Sequence, residues 1–562
     1  MSLPSTLVNA SSEPKEYFDL GSFHRPVSTA SREAQVWFNR GLAWSYGFNH
    51  EESAECFKKA IAIDLGCAMA YWGLAYALGP NYNKPWEFFD GGELQSVVER
   101  THAAVEKAKA EAANATAVER ALIDALEFRY PQAQPAVDCS IWNRPYADAM
   151  QAVYASFPED LDVAALYADS LMNLTPWKLW DLSTGKPAPG ARTVEVRTVL
   201  ERALSHSSGL EHPGLLHLYV HLMEMSAAPE VAMPIADRLR GLVPDSGHLQ
   251  HMPTHLDILC GDYRRAISSN MDAIRADEKF LARAGPLNFY TLYRCHNYHF
   301  RLYAALFAGQ SRVALETADW IEATVPEELL HVESPPMADW LEAFHGMRAH
   351  VLIRFGLWQD ILDLPPPKNQ ELYCVTTALF QYAKGVAFAA TGRLEEAGKQ
   401  RTLFDEAMKR VKSTRTLFNN VCLDILAIAR SMLQGEMEYR RGNFDAAFKH
   451  LRQAVSLDDS LPYDEPWGWM QPPRHAYGAL LLEQGRVEEA AAVYSADLGF
   501  DDTLPRALRH PNNVWALHGY HECLKRLGRA AESRLVKPQL DFAVAMADIP
   551  IKASCFCRTD LE

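Results

Sequence analysis

Apolar residues recur along this chain at spacings of three and four, segment after segment, while alternating β-branched runs are scarce. That pattern predicts amphipathic helices throughout. The segment AQVWFNRGLAWSYGFNHEESAECFKKAIAID reads as one helix–turn–helix unit, marked by Trp37, Gly41, Trp44, Ser53, Phe57 and Ala60. Gly385 with Ala397, Gly435 with Ala447 and Ala454, Gly478 with Ala490 and Tyr494, and Gly519 with Ala531 repeat the arrangement. Turn signals separate the paired helices at GDY (from Gly261), FGLW (from Phe355), TGR (from Thr391), RGNF (from Arg441), QGR (from Gln484) and LGR (from Leu527). Residues 81–92, 131–138 and 176–192 read as loops, and residues 461–473, LPYDEPWGWMQPP, join two units but are too apolar for an ordinary linker.

These offsets match the tetratricopeptide (TPR) unit, whose period is 34 residues. The predicted fold is all-α: a TPR-like α-solenoid, a right-handed superhelix of helical hairpins over residues 31–545. An N-terminal extension (1–30) precedes it, and a C-terminal tail (546–562) carrying Cys555-Phe556-Cys557 follows. A chain of 562 residues is too long for one compact core, but a repeat array escapes that limit because each unit packs only on its neighbours.

The histidines change the picture. His217 and His221 are four apart, as are His251 and His255, and the second pair follows the first by 34 residues. Adjacent repeats thus carry imidazoles at the same two places. In repeat coordinates His248, His251 and His255, then His217, His221 and Glu224, then His296 and His299, fall on one stripe of the first helix of each unit. In a TPR-like repeat that stripe lines the concave groove. Neighbouring helix axes lie about 8–10 Å apart, so imidazoles from equivalent positions can meet at one ion. Nine of the 20 histidines lie between His206 and His299. The expected metal ligands are His217, His221, His251, His255, His296 and His299, with Glu224 as ligand or general base and His248 and His212 behind them. So many nitrogens suit two ions, and nitrogen-rich ligation with one carboxylate favours copper, then iron, then zinc. Pro253, inside HMPTH, should kink or restart its helix.

Weaker candidates remain. Trp72, Asn81, Asn83, Trp467, Trp469 and Arg474 are possible pocket walls, and FNHEE (residues 48–52) reads as a solvated helix start capped by Asn49. Cys555 and Cys557 read as free thiols, or as soft metal ligands if the tail folds back.

Taken together, FNHEE, CAMAYWGLAYALGPNYN, HPGLLHLYVH, GHLQHMPTHL, HNYHF and the terminal SCFC resemble a group of TPR-domain proteins widespread in bacteria and fungi. The resemblance runs from about Trp37 to Cys557. It implies the scaffold and the choice of histidines, including His248 and Glu224, but implies no reaction.

Charge and targeting narrow the partners. A formal charge of −16 with no basic stripe argues against nucleic acid. No run of 18 apolar residues is present, and the N-terminus lacks the basic and apolar regions of a signal peptide, so a cytoplasmic location is expected. The expected function is a metal-dependent enzyme, an oxidoreductase or oxygenase acting on a small-molecule substrate through a copper or iron site. The competing readings are a TPR scaffold holding a peptide in a polar groove, a zinc-dependent hydrolase, and, less prominently, a metal store or sensor. Oligomeric state is not legible.

Overall fold

The structure is a computed structural model that describes residues 17–559. Antiparallel helical hairpins follow one another along the chain, among them Arg32–Tyr46 with His50–Ile63, Thr291–Ala308 with Ser311–Thr324, Cys374–Ala390 with Leu394–Met408, and Val514–Arg526 with Ala530–Met546. Among the described residues strands are confined to two two-stranded ribbons, Trp180–Asp181 with Lys186–Pro187 and Thr416–Leu417 with Asn420–Val421. The chain is therefore an all-α, TPR-like solenoid. No helix of the described residues is long and apolar enough to cross a membrane.

Small residues set the spacing within the stack. The Phe57 ring lies where a Cβ on Gly41 or Gly73 would sit, 2.8 and 2.3 Å away, and Tyr494 stands in the same relation to Gly478 and Gly519. Helices approach this closely only where one side presents no side chain. Hairpin turns close through left-handed glycines, as at Gly261 (φ 77°) and Gly309 (φ 69°), which flank the histidine-bearing helices.

The array does not leave an open groove. The first hairpin packs back on helix Pro213–Glu224, and the helix Val514–Arg526 reaches Thr291–Ala308, where Trp515 Nε1 donates to the Leu306 carbonyl at 2.7 Å. The apolar segment 461–473 runs through the interior: Tyr463, Asp464, Glu465, Trp467, Trp469 and Met470 are all buried. Its composition follows from that position.

At the N-terminus, residues 1–16 of the expected extension lie outside the described residues. From Tyr17 onward the chain lies on the first hairpin, with Tyr17 donating to Glu52 at 2.7 Å and Phe18 edge-on to Trp44. The C-terminal tail folds back on the repeats, where Ser554 accepts from Arg354 through its carbonyl and donates to the His475 carbonyl. Cys555 and Cys557 are joined as a disulfide, which corrects the expectation of free thiols there. The other eight cysteines are free.

Candidate metal centre

Helix Pro213–Glu224 is started by the HPG sequence, each residue for its own reason. His212 Nδ1 accepts from Leu215 N at 3.2 Å as the N-cap, so its Nε2 carries the hydrogen and donates to Asp162 at 3.0 Å. Pro213 occupies the first turn, where a missing N–H costs nothing. Gly214 leaves room for the Tyr46 ring, 2.6 Å from where a Cβ would stand. Tyr46 in turn offers its carbonyl to His217 Nδ1 at 2.6 Å. His212 thus positions the helix and lies outside the histidine cluster. Gly214→Ala should push Tyr46 off this helix and destabilise the protein by about 1–3 kcal/mol, the usual cost of overpacking. A thermal melt unchanged from wild type would refute the account.

The next histidine helix is broken as Pro253 requires. Gly247–His251 and Pro253–Leu259 meet at Met252, which keeps helical dihedrals (φ −49°, ψ −40°). The carbonyl of His251, beside the break, accepts from Thr254 Oγ1 at 2.7 Å. The two segments stay nearly in line, and His251 Nε2 and His255 Nε2 face each other at 2.7 Å. In the third helix, Thr291–Ala308, Asn297 donates to Asp277 at 2.6 Å and ties the helix to its neighbour Tyr263–Ala284. That contact accounts for the asparagine of HNYHF.

The side chains converge in three groups, each with ligand atoms within 4.8 Å of one another: His217, His221 and His248; His251, His255 and His296; and His221, Glu224 and His255. Glu224 thus stands between the two histidine trios. Its Oε1 lies 3.0 Å from His221 Nδ1 and its Oε2 lies 2.7 Å from His255 Nδ1. His248 belongs to the first trio, its Nε2 3.1 Å from His217 Nε2. His299 belongs to neither; its Nε2 lies 2.9 Å from Met470 Sδ.

The hydrogen bonds behind the imidazoles fix which nitrogen is free. A backbone carbonyl only accepts, so His217 Nδ1 carries the hydrogen and Nε2 keeps its lone pair. His251 Nδ1 meets Asn270 Oδ1 at 2.7 Å, and the Asn270 amide is oriented by donating to the Ala266 carbonyl at 2.8 Å. With Glu224 ionised, His221 and His255 also donate through Nδ1. The Nε2 lone pairs of His217 and His251 are thereby turned inward, and those of His221 and His255 join them when Glu224 is ionised.

Burial, the first cause in every case, keeps these imidazoles well below the usual histidine range, to about 3 for His221 and His251. His217, His248, His255 and His296 are lowered by burial and then by neighbouring imidazoles. Burial pushes the Glu224 carboxyl up. Neutral imidazoles are the form that binds metal. His221 Nε2, His248 Nδ1 and His296 Nδ1 are buried without a hydrogen-bond partner among the described residues, an expensive arrangement that a bound cation would relieve at a ligating nitrogen. The residues present therefore fit a metal ion, and these buried clusters could hold one.

Aromatic rings enclose the groups. Phe48 lies over His217, His221 and His248, Trp177 stands edge-on to His221, Phe300 stacks on His255, and Phe418 packs on His296. Phe48, Trp177 and Phe418 have φ of 54°, 58° and 49°, so three of the four non-glycine residues with positive φ among the described residues surround the histidines. Such conformations cost on the order of 1–3 kcal/mol each and persist where the surroundings enforce them.

The sequence did not signal several of these residues. Glu465 lies against His255 Nδ1 and accepts from the Tyr463 hydroxyl. The acidic pair Asp464–Glu465 inside an otherwise apolar segment was the available clue. FNHEE is more than a solvated helix start: Asn49 caps it, accepting from Glu52 N at 3.2 Å, but Phe48 covers the first trio. Of the proposed pocket walls, Asn83 lines a cavity of about 60 Å3 with His255, His296, Glu465, Trp177, Phe289 and Tyr293. Trp72 stacks on Tyr76, Trp467 bonds Asp458, Trp469 packs on His350, and Arg474 pairs with Asp459. A larger cavity of about 510 Å3 is lined by Lys84, Glu93 and Arg100 and shares Phe289, Tyr293 and no histidine of the trios with the first.

No protein-family model matches the chain, and no curated protein matches it. Solved structures similar to it include the Naa15/Naa10 complex bound to HypK-THB, at 12% identity over 91% of this chain and 70% of that one with a TM-score of 0.21. A monomeric mutant of IFIT1 with Gppp-AAAA is similar at 11% identity over 84% of this chain and 90% of that one, with a TM-score of 0.35. Yeast Tom70 is similar at 12% identity over 91% and 93%, with a TM-score of 0.26. Likenesses this distant carry no argument about activity. The expectation of a small-molecule substrate with nucleic acid set aside is not upheld: the Naa15/Naa10 structure is bound to HypK-THB and the IFIT1 structure is with Gppp-AAAA. A TPR-like solenoid suits a scaffold or interaction role.

Proposed function

We propose that this chain is a metal-dependent oxidoreductase whose two histidine trios hold a pair of transition-metal ions, copper in preference to iron. The observation that carries the reading is the convergence of buried, neutral imidazoles whose Nδ1 atoms are paired with Tyr46, Glu224 and Asn270. Such a donor set, nitrogen-rich with one carboxylate between the trios, suits copper or iron, and such a pair supplies one-electron redox chemistry and reduction of dioxygen. Carboxylate-rich di-iron sites use several glutamates, and here Glu224 and Glu465 are the carboxylates beside the histidines.

The chain's own groups would do the rest. Glu224 orients His221 and His255 at once and so couples the trios. Phe48, Phe300 and Phe418 exclude water. Glu465 faces the cavity beside His255 and His296, where its carboxylate can take a proton from a group presented there. The aromatic lining of Trp177, Phe289, Trp340 and Phe418 favours an apolar reacting group. The resemblance to the bacterial and fungal TPR-domain group is consistent with this centre.

Metal analysis of untagged full-length protein by plasma mass spectrometry tests the reading. One to two equivalents of copper or iron are expected. Zinc instead would favour hydrolysis, and no metal even after reconstitution would overturn the centre and leave a scaffold as the better account, as the solenoid itself suggests.

A further inference from the structure

Beyond the two trios, we propose a second, soft metal site that takes cuprous ion, formed by His299 and Met470. His299 Nε2 and Met470 Sδ approach to 2.9 Å, though they belong to parts of the chain 171 residues apart. Both side chains are completely buried, and His350 is 1% exposed. Neither His299 Nδ1 nor His350 Nδ1 has a hydrogen-bond partner among the described residues.

The two imidazoles are close enough for charge on His350 to disfavour charge on His299, in addition to the burial that lowers both. Phe344 and Phe418 flank His299, and Trp469 flanks His350, so both imidazoles sit among aromatic rings. An apolar core position would be filled more cheaply by leucine or phenylalanine than by two imidazoles with orphaned nitrogens. A thioether set against imidazole is a soft donor pair, and soft donors without carboxylate select Cu(I) over Zn(II), Mg(II) or Ca(II).

The segment that delivers Met470 explains how the site is assembled. Gln471 Nε2 donates to the His350 carbonyl at 2.6 Å, fixing the segment against the helix Met347–Arg354. Five residues before Met470, Glu465 lies against His255 of the second trio. One chain segment thus brings Glu465 against the second trio and Met470 to this site, and Cu(I) on Met470 would pin the cover that closes the trios.

The test uses the metal-free, full-length protein and its Met470→Leu variant, a swap that conserves volume. Each is titrated anaerobically with Cu(I) against a chromophoric Cu(I) chelator, and the Cu(I)-loaded forms are examined by X-ray absorption. Wild type should show a Cu–S contribution, and Met470→Leu should lose it and bind that equivalent about tenfold or more weakly. Zn(II) stoichiometry should be the same in both, which also reports that the variant is folded. Equal Cu(I) affinity with no Cu–S contribution in wild type overturns the site. So does a Cu–S contribution kept by Met470→Leu and lost in Cys555→Ser/Cys557→Ser, which would assign the sulfur to the tail. The outcome is independent of the trios: a Cu–S contribution lost in Met470→Leu supports this site even if no Zn(II) is retained.

Discussion

Replacing His251 and His255 together with alanine should remove half of the bound metal, taking two equivalents to one, while His217→Ala/His221→Ala should do the same from the other side. Each double variant strips two of three imidazoles from one trio and leaves the other trio's histidines untouched. The two trios share only Glu224, which reaches both through its two oxygens. A loss of all metal in either variant would refute two separately held ions and point to one ion, or to a pair bound only together. Both variants orphan buried groups, Asn270 and Glu224 in one case and the Tyr46 carbonyl and Glu224 in the other, at about 1–3 kcal/mol for each group. Stability should therefore fall by similar amounts in both, so that a difference in metal content is not a difference in folding. Metal analysis beside far-UV circular dichroism checks both statements.

Metal should also stay bound in mild acid. An exposed imidazole titrates near 6.5, so at pH 5 proton competition weakens each such ligand about 30-fold, and three ligands by about 10^4-fold. In this centre burial holds His221 and His251 to about 3, and the other imidazoles of the trios are lowered in the same direction. Protons then compete in the folded protein only well below pH 5. Dialysis at pH 7, 6 and 5 followed by metal analysis should show undiminished content, whereas release with a midpoint near 6.5 would mean that the ligands are exposed histidines. The same shifts act on the metal-free form with a definite sign. Unfolded histidines take up protons below 6.5 and the buried ones do not, so the stability these groups contribute is complete above 6.5 and is lost as the pH falls toward 3. Buried carboxyls pushed upward, such as Glu224 and Asp464, work the opposite way and reduce the net slope.

The parts of this molecule that were legible in the sequence are those set by short-range repetition. Gly41 and Gly478 are fixed by the need for two helices to touch, and Gly261 by a turn of left-handed hand, so both signals repeat with the hairpin. The 34-residue register of His217 with His251 and His221 with His255 is of the same kind. What could not be read is how the array curls on itself. His217 depends on the carbonyl of Tyr46, and Met470 reaches His299, each 171 residues away. No period links such positions, because the contacts are made by closure of the solenoid and not by stacking of neighbours. Glu465 escaped for that reason, and the positions of His248 beside His217 and of His299 outside both trios follow from side-chain direction, which helical spacing alone does not fix.

The segment that covers the centre lies late in the chain. The trios are complete once residue 296 has been made, but Glu465 and Met470 follow more than 160 residues later, at a synthesis rate of about 5–20 residues per second. For roughly ten seconds or more the nascent histidine stack has no lid. Whichever ion is abundant at the ribosome in that interval would meet the histidines first, and the arrival of the later repeats would then seal it behind buried aromatic side chains. Under the Irving–Williams order raw affinity favours copper at almost any such site, so for this protein binding of any other metal would be decided by timing and local supply.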